Sequence, residues 1–221
     1  MNDIFNFAFA IQILPLLAKA AVITVEMTLA GFLLALPTGL LLVSLRLYAP
    51  RPIGLGAAAL IEFLRGTPLL AQLFFMFFVF PLWGIRLPVT AIGILALGFH
   101  YGAYYSEVYR GGIESVGRGQ WEACQALNLG PLRGFFRIIL PQAIVPIVPA
   151  MGNYLIALFK ETPILSAIGV AELMQTAKVI GSDTFQYTEP ITLTGVFFLV
   201  MSLISAAGVR WLERRVKGVH R

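Results

Sequence analysis

Residues 117–149, GRGQWEACQALNLGPLRGFFRIILPQAIVPIVP, predict a helix, a break and a second helix. Helix-forming residues run from Gln120 to Leu127, and Asn128, Gly130 and Pro131 follow, which are typical of a helix end. After this break apolar residues recur at i, i+3, i+4 and i+7, the period of one helix face: Leu132, Phe135, Phe136 and Ile139. The pattern predicts two short helices at an angle, which bury a small shared face and leave the other free for a partner.

The composition on either side of this stretch is that of a membrane protein. Of 221 residues 58% are hydrophobic and only 12% are charged, far from the balance of a soluble domain. The net charge is +5, but the cations gather at the ends of apolar segments, which favours membrane topology over nucleic-acid binding. The single cysteine excludes an internal disulfide and a cysteine-rich metal site. The start, MNDIFNFAFA, has no basic residue, so a cleaved signal peptide is not expected.

Five apolar segments predict an all-α membrane protein with five transmembrane helices in one domain, residues 1–221. The spans lie roughly at 20–45, 53–83, 88–106, 138–159 and 191–210, long enough to cross a bilayer. Residues 111–137 form a loop between the third and fourth spans, and residues 160–190 a polar segment at the opposite membrane face. Pro37 is expected to kink the first span. Three prolines are expected to make the start of the fourth span irregular: Pro141, Pro146 and Pro149.

The distribution of cations predicts the orientation. Eleven follow the first, third and fifth spans: Arg46, Arg51, Arg110, Arg118, Arg133, Arg137, Arg210, Arg214, Arg215, Lys217 and Arg221. Three follow the second and fourth spans, on the other side: Arg86, Lys160 and Lys178. By the positive-inside rule the loop 111–137 and the C-terminus are cytoplasmic and the N-terminus is outside.

A charged pair interrupts the second apolar segment. Glu62 and Arg65 are three residues apart, so they share a helix face and can pair. Two interpretations stay open: the pair faces a protein interior or a water-filled cavity, or it marks a helix end near the headgroups. His100, in the aromatic stretch FHYGAYY, has no second ligand nearby and is assigned no chemistry.

The loop resembles a known family motif. Glu122-Ala123-Cys124, then Asn128, then Ile138, Leu140 and Pro141, are similar to the cytoplasmic EAA loop of bacterial ABC importer permeases: E-A-A, three residues, G, nine residues, I-x-L-P. The chain departs from it at Cys124 and Asn128; asparagine is the residue after glycine best suited to the left-handed backbone that ends such a helix. In that family the loop is the coupling helix that docks into the ATPase subunit. The resemblance therefore implies a coupling role for Glu122, Ala123, Cys124, Asn128, Gly130, Leu140 and Pro141.

Other segments resemble the polar amino-acid branch of these permeases, the histidine/glutamine type. EFLRGTPLLAQLFF (62–75) and PAMGNYLIALFKETPILSAI (149–168) are similar to that branch, and ELMQTAKVIGSDTFQYTEPITL (172–193) is similar to permeases for ectoine and hydroxyectoine. The resemblance implies the MetI-like fold of ABC type I importers and a small zwitterionic solute. The candidates for the solute pathway are Glu62, Arg65, Thr67, Glu107, Asn153, Lys160, Glu161 and Thr162.

The chain lacks its own energy source. It contains no G-x-x-x-x-G-K-[ST] sequence, so it is not expected to bind ATP through a P-loop. It is therefore expected to be no enzyme and to bind no cofactor, with ATP and magnesium on a separate ATP-binding cassette subunit. Five spans are few to enclose a pathway, which predicts a second permease subunit, either another copy or a paralogue.

The family implies the remaining partners and the location. An extracytoplasmic solute-binding protein delivers the solute, membrane lipid surrounds the chain in the bacterial inner membrane, and no nucleic acid is involved. The alternative is a channel or secondary transporter that is not coupled to an ATPase, although no inverted repeat is visible. An intramembrane protease is disfavoured because Ser106 and His100 do not share a helix face well. A zinc enzyme is disfavoured because its ligands would have to cluster.

Overall fold

The computed structural model describes residues 5–218, and this part of the chain is helical throughout. Its α-helices are α1 (Phe7–Tyr48), α2 (Arg51–Gly66), α3 (Leu69–Phe78), α4 (Val89–Glu114), α5 (Arg118–Ala126), α6 (Pro131–Gly134), α7 (Leu140–Glu161), α8 (Leu173–Thr184) and α9 (Thr188–Gly218). Two 3-10 helices, Phe80–Trp83 and Thr162–Ile168, and a π-helix, Phe135–Ile139, connect them. Arg221, one of the cations used to predict the orientation, lies outside the described residues.

Three described stretches are long and apolar enough to cross a membrane: Phe7–Tyr48, Pro131–Ile168 and Thr188–Arg215. Helices α2 and α3 qualify together as a broken fourth, bent by 103°. The predicted second span, residues 53–83, is thus two helices at an angle. Helix α4, which contains the predicted third span, does not reach the same apolar character because it carries His100 and several tyrosines.

Helix α1 is longer than the predicted span within it. It has 42 residues and continues through Pro15 and Pro37, whereas about 20 residues suffice to cross the hydrocarbon core. Its start is fixed by Asn6, whose side chain accepts a hydrogen bond from the Phe9 N–H at 3.1 Å, an ordinary N-cap. The Asn6 N–H also donates to Glu189 Oε1 at 2.6 Å, which joins the start of α1 to α9.

Helix α4 is the centre of the bundle and contacts α1, α2, α3 and α7. Glycines bring it close to α1: a Cβ on Gly98 would lie 2.5 Å from Leu34, and one on Gly102 would lie 2.6 Å from Thr38. Small residues allow such backbone approach in membrane helices. Residue numbers rise together along the two helices in these contacts, so α1 and α4 run parallel.

Helix α7 runs antiparallel to α4 and continues from the loop. Ile147 packs on Gly112 near the end of α4, and Tyr154 packs on Tyr101 in its middle. The irregularity expected near Pro141 and Pro149 lies earlier in the chain, in the π-helix Phe135–Ile139. The prolines themselves sit inside regular α-helix, where neighbouring helices make such positions tolerable.

The segment after α7 folds back on the bundle. The Thr162 hydroxyl shares a 2.8 Å hydrogen bond with Thr28 of α1, and the Leu173 N–H donates to Thr24 Oγ1 at 3.1 Å. The buried face of α8 then packs between the first part of α1 and α9, in a cluster that contains Ile13, Leu17, Ala20, Ala21, Leu173, Ala177 and Ile180. The predicted polar segment 160–190 is therefore a packed layer around α8.

Candidate functional site

Helix α5, in the loop predicted to be cytoplasmic, ends in a Schellman motif. The Leu129 N–H donates to Cys124 O at 3.0 Å and the Asn128 N–H donates to Gln125 O at 2.9 Å. Asn128 has φ 50°, the left-handed conformation that this motif requires and that asparagine tolerates. The prediction that Asn128 substitutes for glycine as a helix terminator is confirmed.

One face of this loop is buried and holds α5 on the bundle. Cys124 is 7% exposed, and it contacts Gly134, whose added Cβ would lie 3.3 Å from the Cys124 sulfur. The surrounding cluster contains Val116, Ile139, Ala143 and Ile147. A small side chain is thus needed at Cys124, and α5 is fixed to the start of α7.

The other side of the loop is exposed and partly apolar. Glu122 and Ala123 point into solvent, as do four large apolar side chains: Trp121, Leu127, Leu132 and Phe136. A shallow depression beside them is lined by Gly130, Pro131, Leu132, Arg133, Phe136 and Arg137. Exposed apolar side chains grouped with cations are typical of a protein contact surface.

The remaining predicted coupling residues are structural elements of this loop. Gly130 is the N-cap of α6, while Leu140 and Pro141 are half-buried in the first turn of α7. They set the position of the second helix, whereas Glu122 and Ala123 lie on the exposed surface of the loop.

A polar centre lies among α2, α3, α4 and α7, and it begins at the break between α2 and α3. Gln72 Nε2 donates to Leu64 O at 2.8 Å and to Thr67 Oγ1 at 2.7 Å. Its Oε1 is 3.3 Å from His100 Nδ1 on α4. The carbonyl groups at the end of α2 lack hydrogen-bond partners within their own helix. Gln72 of α3, held in place by His100 of α4, donates to them.

Arg65 lies at the edge of this centre. Its guanidinium stacks on the Tyr104 ring, with 5.3 Å between Cζ and the ring centroid, and the Tyr104 hydroxyl donates to Arg65 O at 3.4 Å. The predicted pair with Glu62 is long, 3.5 Å, and exposed, with 69% of the Glu62 side chain accessible. Such a pair contributes little, so the principal contact of Arg65 is with the aromatic ring.

Four tyrosines continue the polar centre from Arg65 toward the end of α7. The ring of Tyr154 on α7 lies 6.2, 5.3 and 5.9 Å from the rings of Tyr101, Tyr104 and Tyr105 on α4. The Glu161 carboxylate lies beside Tyr101. One cation and one carboxylate thus flank a row of aromatic rings, an arrangement that suits a solute carrying both charges.

The structure separates three of the predicted pathway residues on α7. Glu161 shares a helix face with Tyr154, seven residues earlier, and so belongs to the polar centre. Asn153 and Lys160 share a different face, and Lys160 borders a groove between α7 and α9 with Phe198, Ser202 and Ala206. All three side chains are exposed.

Two other predicted pathway residues are engaged within the protein. Glu107 is ion-paired with Arg46 of α1 and with Arg110 at 2.6 Å, which ties the ends of α1 and α4 together. Thr162 is fully buried, and its hydroxyl donates to Leu158 O at 2.9 Å and also bonds Thr28.

Sequence reasoning missed several members of the polar centre: Gln72, Tyr101, Tyr104 and Tyr154. The tyrosines at i and i+3 on α4 were a signal, since a helix places them on one face. Gln72 was visible as a lone amide in an apolar segment, but its partner His100 is 28 residues away.

The sequence matches a family profile over residues 31–218, described as the binding-protein-dependent transport system inner membrane component. This chain belongs to that family. It is a permease subunit of an ABC importer in the bacterial inner membrane, and the ATPase of such a system is a separate subunit. The prediction from the EAA-like motif is thereby confirmed at the level of family and fold.

Two relatives match this permease over almost its whole length. It is 45% identical over 208 residues to a probable amino-acid ABC transporter permease protein of Sinorhizobium fredii, covering 94% of this chain and 90% of that one. It is 32% identical over 207 residues to the L-cystine transport system permease protein of Bacillus subtilis, covering 91% and 88%.

Solved structures agree with the fold. A chain from the crystal structure of an amino acid ABC transporter with histidines superposes with a TM-score of 0.91 at 33% identity, covering 96% of this permease and 99% of that chain. A chain of the methionine ABC transporter in inward-facing conformations gives 0.76 at 22% identity, covering 93% and 98%. The second likeness shows the MetI-like fold of type I importers alone.

Proposed function

We propose that this permease imports a small zwitterionic amino acid, with the polar centre as the part of the pathway that contacts the solute. The observation that carries the proposal is the row of tyrosines on α4 and α7, flanked by Arg65 and Glu161. The relatives named for amino acids and for L-cystine support the same solute class. Ectoine and hydroxyectoine are the alternative solutes, because the segment 172–193 resembles permeases for them.

The solute's two charges match the two ends of the polar centre. Arg65 presents a guanidinium whose Nε has no hydrogen-bond partner, and Glu161 presents an exposed carboxylate. Arginine recognises carboxylates in a bidentate manner, while a carboxylate beside aromatic rings suits an ammonium or guanidinium group. We therefore assign Arg65 to the solute carboxylate and Glu161 to its cation. Thr67 lies beside Arg65 and can supply a hydrogen bond there, and the remaining candidates are Asn153, Glu62, Glu107, Lys160 and Thr162.

The single domain crosses the membrane five times, with the N-terminus outside and the C-terminus in the cytoplasm. Helix directions support this topology: α1 and α4 are parallel, and α7 is antiparallel to α4. Helix α7 is also antiparallel to α9, because Gly152 meets Val209 and Lys160 lies beside Phe198. The broken pair α2 and α3 supplies the return between α1 and α4. Residues 111–137 then lie in the cytoplasm and residues 160–190 at the outer face.

The loop around α5 docks on the ATP-binding cassette subunit, which holds ATP and magnesium. Its exposed Glu122 and Ala123, beside apolar side chains on a firmly anchored helix, provide a rigid contact through which motion is transmitted. A second permease subunit completes the pathway, because five spans are few to enclose one and only Tyr104 and Tyr154 of the tyrosine row are partly exposed. A solute-binding protein delivers the solute from outside.

The test is uptake into proteoliposomes that contain the complex purified through a tag on this chain. A panel of labelled amino acids, ectoine and hydroxyectoine is offered outside together with the solute-binding protein, and ATP or a non-hydrolysable analogue is enclosed inside. Uptake of an amino acid that requires hydrolysable ATP is the expected result. Uptake that proceeds without hydrolysis would instead identify an uncoupled channel or secondary transporter.

A further inference from the structure

The turn between α8 and α9 holds the most exposed large apolar side chain of the described residues. Phe185 is 89% exposed and its backbone is left-handed, with φ 58° and ψ 20°. Asparagine occupies the equivalent position after α5, at Asn128, as helix termination favours. A residue with a large side chain is disfavoured in this conformation. Helix termination alone therefore does not explain a phenylalanine here.

The turn around Phe185 is rigid. The Tyr187 ring lies directly on Gly181 of α8, where an added Cβ would be 2.4 Å from Tyr187 Cδ1. Thr184 Oγ1 donates to Ile180 O at 2.7 Å and accepts from the Gln186 N–H at 3.3 Å. Phe185 is thus held outward by its neighbours. A partner that contacts it therefore loses little free energy to the ordering of this turn.

The surroundings of Phe185 are mostly polar. The exposed residues near it in the sequence include Lys178, Ser182, Asp183, Thr184 and Gln186, with Val179 as the apolar exception. An aromatic centre within a polar, charged rim is the pattern of a protein contact. An aromatic side chain buried in lipid would instead be flanked by apolar residues, as Phe78 is on α3, in the sequence FFMFFVF.

This turn and the loop around α5 lie at opposite ends of the bundle. The Gln142 side chain, in the first turn of α7, donates to Gln120 of α5 at 3.3 Å, whereas the segment that leads to α8 follows the last turn of α7. Helix α7 has 22 residues, about 33 Å at 1.5 Å per residue. With α5 on the ATPase, Phe185 faces the compartment from which a binding protein approaches.

We infer that Phe185, with Tyr187 beside it, is a docking point for the solute-binding protein of this importer. The inference rests on the proposed function, and it names the surface that recognises one of the partners. The family description, binding-protein-dependent, supplies the occupant. Aromatic residues of this kind contribute most of the affinity at protein interfaces, while the polar rim excludes water.

The experiment uses the complete complex in proteoliposomes with the binding protein that supports wild-type uptake, identified by its requirement for uptake. ATPase activity is measured against binding-protein concentration for the wild type, Phe185→Ala and Phe185→Gly. Both variants are expected to raise the half-stimulating concentration about tenfold. Phe185→Gly is expected to do so while leaving the melting temperature unchanged or higher, because glycine prefers the left-handed backbone.

Phe78→Ala is the matched control, since Phe78 is 61% exposed on α3 and is expected to keep the wild-type half-stimulating concentration. A wild-type half-stimulating concentration in both Phe185 variants overturns the docking point. If no binding protein stimulates the wild type, the proposed function itself fails, which is a separate outcome.

Discussion

The loop around α5 and the polar centre among α2, α3, α4 and α7 are built in opposite ways. The loop is a local structure, whose helix, cap and exposed face come from consecutive residues, and its Schellman motif spans Cys124 to Leu129. The polar centre joins four helices, and its hydrogen bond between Gln72 and His100 crosses 28 residues. Changes in the loop are therefore expected to alter contacts with a partner, and changes in the centre to alter the fold and the pathway.

The largest expected effect is the loss of the Gln72 amide. Gln72→Leu leaves Leu64 O and His100 without their partner, while the Thr67 hydroxyl keeps its hydrogen bond to Phe63 O. Each buried polar group left unsatisfied costs about 1–3 kcal/mol, so we expect the free energy of unfolding to fall by about 3 kcal/mol. Thermal unfolding in detergent measures it.

The control for this change is Gln125→Leu, an exposed amide on α5. Surface substitutions usually stay within about 0.5 kcal/mol, so its melting temperature is expected to match the wild type. Equal losses in both variants would contradict the distinction between a packed centre and a local loop.

Glu161→Ala is expected to have the next largest effect, on transport. Removing the carboxylate that meets the solute cation is expected to reduce uptake roughly tenfold, since a hydrogen bond to a charged group contributes about 1.5–3 kcal/mol. ATPase docking is expected to stay intact. Initial uptake rates, with co-purification of the ATPase subunit, measure both.

Lys160→Ala and Asn153→Ala sharpen this prediction, because both residues lie on the neighbouring face of α7. Uptake is expected to fall in these variants by less than in Glu161→Ala. Wild-type uptake in all three variants would reject the assignment of this part of α7 to the pathway.

Glu122→Ala tests the loop around α5 and is expected to weaken coupling severalfold, in the range of a typical interface residue. The side chain is exposed, so the melting temperature of the isolated permease is expected to stay the same. ATP hydrolysed per solute imported measures coupling. Gln125→Ala is measured beside it as a second exposed position on α5. If coupling is unchanged in both variants, the ATPase contact lies elsewhere.

The smallest effect is expected at Asn128. Asn128→Gly keeps the left-handed backbone and is expected to change stability by no more than about 0.5 kcal/mol, while Asn128→Ala is expected to cost about 1 kcal/mol. Thermal unfolding of both variants measures the difference. If alanine were as stable as glycine, the left-handed cap would not fix the angle of the loop.

The sequence by itself determined the helical class, the family and the local form of the loop around α5. Apolar periods and helix caps depend on residues within one or two turns, which is why the stop at Asn128 was predicted and confirmed. The charged pair Glu62 and Arg65 marked an interruption of the second apolar segment, though not the 103° bend that follows it.

Only the tertiary structure decided which polar residues meet. It stacked Arg65 on Tyr104 with only a weak contact to Glu62, paired Glu107 with Arg46 and Arg110, buried Thr162 against Thr28, and divided Glu161 from Lys160. Within a bilayer a polar group must find its partner inside the protein. The choice of partner depends on which helices pack together, and close approach at glycines such as Gly98 and Gly102 sets that packing.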